Sequence, residues 1–337
     1  MRKYILLGFT LFLFLSKCTD PASEGFIMTV QGPISVSEIG KSLIHEHILV
    51  DFIGADSTGY HRWNRAEVIK MVLPYLQEIR NSGCSTLIDC TPAYLGRDPL
   101  LLKMLSDSSG LNILTNTGYY GALNNKYLPS HTFRETAEQI AARWIREWQD
   151  GIDGTGIKPG FIKTGVNPGM LSDLHKKLIK AAAITHLKTG LTIASHTGPA
   201  LPAFEELEIL ASEGVAASAF IWVHAQSESD HSTHVMAATK GAWISLDGLS
   251  DDNAEEYVGM INNLKENGLL HRVLVSHDAG WYKPGEPGGG NYRGYTALFN
   301  KLIPALRNAG YTEKELTQLI VHNPANAFEV RIRKADK

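Results

Sequence analysis

The sequence predicts an α/β fold: one (β/α)8 barrel of the TIM type, with a short N-terminal hairpin and an extra C-terminal helix. Three observations predict it. From residue 43 onward, short apolar runs ending in polar residues alternate with longer segments of helical periodicity. The alternation yields eight strand–helix units in about 290 residues, the size of a barrel that normally runs near 250 residues plus insertions. An open doubly wound sheet would need a glycine-rich phosphate loop after its first strand, and no such loop follows residues 43–50.

Residues 1–17 have the form of an export signal: Arg2 and Lys3, an apolar run from Tyr4 to Leu15, then Ser16, Lys17 and Cys18. The run is too short to span a bilayer as a helix. A cysteine in this place resembles a bacterial lipoprotein signal, with Cys18 as the lipidated first residue of the mature chain. Lys17 departs from the small residue expected before it. The expected location is the periplasm or, through a lipid on Cys18, the membrane surface. Residues 18–26 form a polar linker, and residues 27–337 the barrel domain.

Residues 27–36 read as the hairpin. Strands are predicted at 43–50, 85–91, 112–118, 160–166, 191–196, 219–224, 242–247 and 272–278. Helices are predicted at 65–79, 99–106, 133–148, 171–188, 202–212, 232–239, 254–267 and 292–308, with the extra helix at 313–321. The fourth helix justifies the pattern best. Ser172 caps it, Leu174, Leu178 and Ala181 or Ala182 form an apolar stripe, Lys176, Lys177 and Lys180 face water, and Gly190 ends it. Cys84 and Cys90 lie along one strand, whose roughly 20 Å length is far too great for a disulfide, so both are expected to be free and buried.

Of the 337 residues, 44% are hydrophobic and 20% charged, which suits a large globular core rather than a disordered chain. A net charge of -3 leaves no basic footprint for nucleic acid. The expected partner is a small-molecule substrate.

The chemistry-bearing stretch is LIHEHILV, residues 43–50. A period of two puts His45 and His47 on one face of a buried strand, where imidazoles are costly unless they bind something, most often a divalent metal. The other candidates fall at the ends of later strands: Lys163, His196, His224 and Asp278. Parity places them on the barrel side, pairing Phe161 with Lys163, Ala194 with His196, Trp222 with His224 and Ser276 with Asp278. Four histidines, one aspartate and one lysine at a barrel mouth are the donor set of a two-metal hydrolytic site. An ammonium beside two dications would be repelled, so Lys163 fits there as a neutral amine that takes up carbon dioxide as an anionic, bridging carbamate.

Other residues have plainer readings. His277 points outward by parity and is structural. His61, His131, His231 and His234 lie in loops or helix starts and read as solvated. Trp281 and Tyr282 read as pocket wall or lid packing. Asp247 either orients a neighbouring ligand or caps. Lys283 and Arg293 read as solvated surface, with an anion-holding role as the alternative.

Together these motifs, LIHEH, LIDCTPAYLGRD, GIDGTGIKPGFIKTGVN, ASHTG, VHA and VSHD, resemble the phosphotriesterase family of the amidohydrolase superfamily, from residue 27 to about 328. The resemblance implies one metal held by His45, His47 and Asp278, and a second held by His196 and His224. It further implies a carboxylated Lys163 bridging the two and Asp278 as the catalytic proton acceptor, with zinc the expected metal. Two departures stand out. Family phosphotriesterases relay a proton through an aspartate three residues past the sixth-strand histidine and a histidine after the Leu-Asp of strand seven; here Ser227 and Gly248 occupy those positions. Gly248 also lacks the arginine common in the lactonase branch. Tyr120, in the loop NTGYYG, matches a tyrosine that lactonase relatives point at the scissile group. The expected activity is therefore hydrolysis of a lactone or carboxylic ester by a metal-bridging hydroxide. Phosphotriester or amide hydrolysis is the alternative within the enzyme class, and a non-catalytic binding barrel is the alternative outside it. The sequence leaves the oligomeric state, a homodimer among the options, open.

Overall fold

The computed structural model describes Met1 and residues 25–335. Residues 2–24, which hold the rest of the export signal, Cys18 and nearly all of the linker, lie outside the described residues. Strands β1 (Phe26–Thr29) and β2 (Gly32–Ser35) form the antiparallel hairpin, with Phe26 opposite Ser35. Ile27 from the hairpin, with Ile39 and Phe328, packs on the inward-facing side chains Ile44, Ile88, Leu114 and Phe161 and plugs the lower end of the barrel.

The barrel strands are β3 (Lys41–Leu49), β4 (Cys84–Asp89), β5 (Asn112–Leu114), β6 (Asn116–Thr117), β7 (Phe161–Gly165), β8 (Ile193–His196), β9 (Phe220–Val223), β10 (Trp243–Leu246), β11 (Val273–Val275) and β12 (Gly280–Tyr282). They run parallel in chain order, as β12-β3-β4-β5 and β6-β7-β8-β9-β10-β11. The predicted third strand is interrupted at Thr115, separating β5 from β6; the predicted eighth strand, 272–278, ends early at Val275, and β12 lies beyond it. With these interruptions the predicted eight-stranded barrel is the observed fold.

The helices around it are α1 (Arg65–Asn81), α2 (Pro99–Ser109), α3 (Ala137–Asp150), α4 (Asp173–Thr189), α5 (Ala200–Ser212), α6 (His231–Thr239), α7 (Ala254–Glu266) and α8 (Ile303–Asn308). They start on side-chain caps where the sequence supplies them: Asn64 on α1, a Thr136–Gln139 capping box on α3, and Ser172 on α4, which Gly190 ends in the left-handed region at φ 77°. Lys177 corrects the reading of α4, because its Nζ donates to the Thr132 and Glu135 carbonyls instead of facing water. The helix predicted at 292–308 starts late, in a π-helical turn at Leu298–Leu302, because Tyr292 and Tyr295 are buried and the Leu298 N–H donates to His277 Nε2. The extra C-terminal helix divides into α9 (Glu313–Thr317), a π-helical stretch and α10 (Asn323–Phe328). Cys84 and Cys90 are free and buried, as expected.

Closure of the barrel depends on Glu46, which is fully buried. Its carboxyl oxygens accept from Ser276 Oγ at 2.7 Å, His277 Nδ1 at 2.6 Å, His277 N at 3.1 Å and Ala279 N at 2.9 Å. Four donors of the final strand region thus converge on one side chain of the first strand. Backbone bonds complete the seam, from Asp278 N to His45 O at 3.0 Å and from His47 N to Ala279 O at 2.9 Å. Glu46→Ala would leave those donors buried without an acceptor and is expected to cost about 3 to 5 kcal/mol, read from urea unfolding. A midpoint equal to that of the wild type would show that the seam closes without Glu46.

Candidate metal centre

Each predicted donor reaches the carboxyl-terminal mouth of the barrel, by routes that differ from strand to strand. In β3 a register irregularity between Leu43 and Glu46 lets Ile44 join the interior packing while His45 and His47 still turn to the mouth. Lys163 and His196 follow simple parity, with Phe161 and Ala194 below them in the interior. His224 does not. Trp222 packs outward against Phe204 and His234, Ile221 and Val223 face inward, and His224 enters the mouth because its backbone turns left-handed at φ 62°. Asp278 also lies beyond its strand and is left-handed at φ 51°. Non-glycine residues in this region are strained and persist only where the surroundings hold them, a common property of functional sites.

Two glycines give the donors room. A Cβ on Gly118 would lie 2.1 Å from the Lys163 carbonyl oxygen, and one on Gly280 would lie 1.8 Å from the His47 carbonyl oxygen, so only glycine fits either place.

The donors then fall into two connected groups. In the first, Asp278 Oδ1 lies 3.1 Å from His47 Nε2 and 3.7 Å from His45 Nε2. In the second, His196 Nδ1 lies 2.8 Å from His224 Nε2. Lys163 Nζ stands 3.5 Å from His45 Nε2, is buried, and has no carboxylate partner among the described residues. Donors around one tetrahedral zinc at about 2.0 Å are spaced by about 3.3 Å, so these spacings fit one cation in each group. The nitrogens turned to the mouth are lone-pair donors crowded together, an arrangement that a cation satisfies.

Asp247, which the sequence left between two readings, is an orienting residue. It is fully buried; Oδ2 accepts from His45 Nδ1 at 2.8 Å and Oδ1 from His224 Nδ1 at 2.6 Å, with Ser245 Oγ donating at 2.7 Å. A carboxylate acceptor holds the proton on Nδ1 of each ring and turns the Nε2 lone pair to the mouth. Asp247 also lies close enough to His45 and His224 to form a donor trio with them, but it meets the far edge of both rings and so acts behind the site. Gln226 braces it, donating to Oδ1 at 3.3 Å and accepting from Asp247 N at 3.1 Å. Thr91 Oγ1 meets His47 Nδ1 at 2.7 Å and plays the same part there. Sequence reasoning missed Thr91, Gln226 and Glu46, whose partners are remote in the chain.

The electrostatics follow from burial and these partners. Burial first, and Lys163 beside it, push His45 down to about 4, and burial and His224 hold His196 well below the ordinary value, so both rings are neutral donors. Burial alone would raise Asp278, but its bond to His47 and the surrounding histidines hold it well below the usual carboxylate range. Burial, and then Asp278, push the Tyr120 phenol well above its ordinary value. Tyr120 OH lies 3.0 Å from His196 Nδ1.

One wall of the mouth is aromatic. Ring centroids step from His196 to Tyr120 (5.0 Å), Tyr127 (6.0 Å), Phe52 (6.3 Å), Trp281 (5.8 Å) and His47 (6.3 Å). The remaining candidates make their polar contacts outside the donor cluster, although Arg293 lies over the Trp281 ring at 5.6 Å. Tyr282 packs against Gly289, Lys283 pairs with Glu286 at 3.7 Å, and Arg293 donates to the His277 carbonyl at 3.1 Å. His131 bonds to Tyr119 OH, and His234 is buried with Nε2 on the Ala225 carbonyl, so neither is the solvated residue expected. His277 is structural, as expected, but because Glu46 holds it. At position 248 a Cβ would stand 2.8 Å from Gln226 Nε2 and 3.0 Å from Tyr257 OH, so those two side chains fill the space a relay side chain would need.

A barrel of this form with this donor set at its mouth defines a metal-dependent hydrolase. The phosphotriesterase family profile matches residues 25–328, and the chain belongs to that family. It is 26% identical over 300 residues to a phosphotriesterase homology protein of Escherichia coli, covering 88% of this chain and 100% of that protein. It is 28% identical over 312 residues to an aryldialkylphosphatase of Saccharolobus solfataricus, covering 88% and 96%. A solved mutant of an organophosphorus hydrolase from Deinococcus radiodurans superposes with a TM-score of 0.82 at 25% identity, covering 91% of this chain and 98% of that one.

Asp247→Ala frees both His45 and His224 to rotate and is expected to weaken metal binding by about 10- to 100-fold, measured by competition with a chelator. Unchanged affinity would remove Asp247 from the support of the site.

Proposed function

We propose that this enzyme is a two-metal hydrolase whose natural reaction opens a lactone or cleaves a related carboxylic ester. His45, His47 and Asp278 would hold one divalent cation and His196 and His224 the other, with Lys163 bridging as its carbamate; the nitrogen and oxygen donors suit zinc. When bound, the two cations supply Lewis acidity and an activated water at neutral pH. The rest belongs to the chain. Asp278, ionised because its histidine neighbours favour the carboxylate, accepts the proton of the attacking water and returns it to the leaving oxygen. Tyr120 keeps its proton and donates to the oxygen that gains charge in the transition state.

One observation carries the preference for lactones and esters: the Tyr120 hydroxyl stands within the donor cluster, 3.0 Å from His196, while Ser227 and Gly248 offer neither a carboxylate nor an imidazole to carry a proton away from Asp278. A lactone keeps its leaving alkoxide tethered near Asp278, and an alkoxide needs that proton more than a stabilised aryloxide does. Phosphotriester hydrolysis is the second reading, favoured by the names of the relatives. A purely binding barrel is disfavoured, since a scaffold released from catalysis has no reason to keep all six donors together. We also place the enzyme outside the cytoplasm, on the pattern of residues 1–18.

Protein purified with zinc and bicarbonate is expected to hold two metal ions per chain. Lys163→Ala is expected to abolish turnover, with partial rescue by short carboxylic acids that stand in for the carbamate oxygens; an alanine variant at near wild-type rate would exclude a bridging role.

Tyr120→Phe is expected to lower kcat on lactones by about 100-fold. The comparison to make is kcat/KM across a lactone series against an activated phosphotriester. A wide margin for the phosphotriester, or a Phe variant that loses nothing on lactones, would overturn the ester assignment.

A further inference from the structure

Behind His196, on the helix side of β8, lies a carboxyl group that the reaction does not use. Glu206 of α5 is fully buried and has no cationic partner among the described residues. Its Oε1 lies 2.5 Å from Ser195 Oγ and its Oε2 lies 2.6 Å from Thr197 Oγ1. Ser195 and Thr197 flank His196 in the chain. Thr197 Oγ1 also lies 3.0 Å from the Ser195 carbonyl oxygen.

Counting protons poses a choice: the single hydroxyl hydrogen of Thr197 cannot serve both Glu206 Oε2 and the Ser195 carbonyl. A threonine hydroxyl has one hydrogen and two lone pairs. If that hydrogen goes to the Ser195 carbonyl, which can only accept, the close contact between Thr197 Oγ1 and Glu206 Oε2 needs a hydrogen from Glu206. The remaining contact is then Ser195 Oγ–H donating to Oε1. Every hydrogen and acceptor is used once, and the three bonds close a ring around the backbone of His196.

We propose that Glu206 is a neutral carboxylic acid, donating to Thr197 and accepting from Ser195, and that this ring is the positioning device for His196. Burial favours the same state, pushing the carboxyl up to about 8, and among the described residues only the Ser195 and Thr197 hydroxyls act against it. His196 itself lies between the two hydroxyl residues but faces the opposite side, into the barrel mouth. The positioning role rests on the reading of His196 as a metal ligand; the protonation does not.

The sign of the pH effect follows. Between the ordinary carboxylate value and about 8 the folded chain holds a proton that the unfolded chain releases, so the contribution of this group to stability falls as pH rises across that window. Glutamine can accept from Ser195 and donate to Thr197 without a titrating proton; leucine can do neither.

The test uses the full chain and three proteins: wild type, Glu206→Gln and Glu206→Leu. Difference infrared spectra at neutral pH are expected to show the carbonyl stretch of a protonated carboxyl in the wild type and its loss in Glu206→Gln. The fall in thermal midpoint from pH 5 to 8 is expected to be smaller in Glu206→Gln than in the wild type. Zinc titration is expected to give two ions in the wild type and in Glu206→Gln, with the weaker ion bound at least tenfold less tightly in Glu206→Leu. Absence of the infrared band, or an identical pH slope in wild type and Glu206→Gln, overturns the neutral acid. Unchanged zinc affinity in Glu206→Leu overturns the positioning role. A wild type that binds fewer than two ions overturns the ligand reading of His196, while the infrared band, which needs no metal, still decides the proton.

Discussion

A barrel whose working residues straddle its own seam has to close before it has a site. His45 and His47 belong to the first strand, and Asp278 follows the last, so their group exists only because the ends of the sheet meet. Glu46, between the two histidines in sequence, makes that join with four accepted bonds from Ser276, His277 and Ala279. The alternation of the strand sends the two histidines to the mouth and the glutamate to the seam. Closure and ligand placement are therefore one event, and Gly280, pressed against the His47 carbonyl, is the position where a side chain would prevent both.

A second buried carboxylate couples the two halves of the centre. Asp247 orients one histidine from each group, and those histidines in turn hold it well below the usual carboxylate range despite complete burial. A buried acid normally rises when it loses water. Here the paired imidazoles reverse the sign. The consequence is a triad behind the mouth, in which Asp247 fixes the rings of His45 and His224 by their far edges. Lys163 has no such partner among the described residues, and a buried lysine without a counter-ion departs from ordinary core chemistry.

Much of this was legible in the sequence because it is local. Strand–helix alternation, the caps of α4 and the histidine spacing each follow from a few neighbouring residues. The parity argument worked for Lys163 and His196, whose strands are regular. It failed for Trp222 and His224, because the strand ends at Val223 and a left-handed residue, which no period-two rule anticipates, turns the histidine inward. The late start of the helix at Leu298 was hidden for a related reason: it depends on a bond to His277, 21 residues away. Glu46, Thr91, Gln226 and Glu206 share that property. Their types read as ordinary polar residues, and only their remote partners reveal what they hold.

The mouth that results is asymmetric, and the asymmetry bears on the chemistry. From His196 round to His47 the wall is built of Tyr120, Tyr127, Phe52 and Trp281, and the Trp281 Nε1 is buried without a partner among the described residues. Ser227 and Gly248 are small, and the space at Gly248 is taken by Gln226 and Tyr257. An apolar wall favours burying the hydrocarbon part of a substrate, while of its two phenols Tyr120 meets the donor cluster and Tyr127 turns to the Phe52 carbonyl. On the proposed reaction, with neither an aspartate at 227 nor a histidine at 248, a proton accepted by Asp278 would return directly to the substrate. A reaction whose leaving oxygen stays bonded to the part already held by the wall makes the best use of that arrangement, and ring opening has this property where release of a separate aryloxide does not.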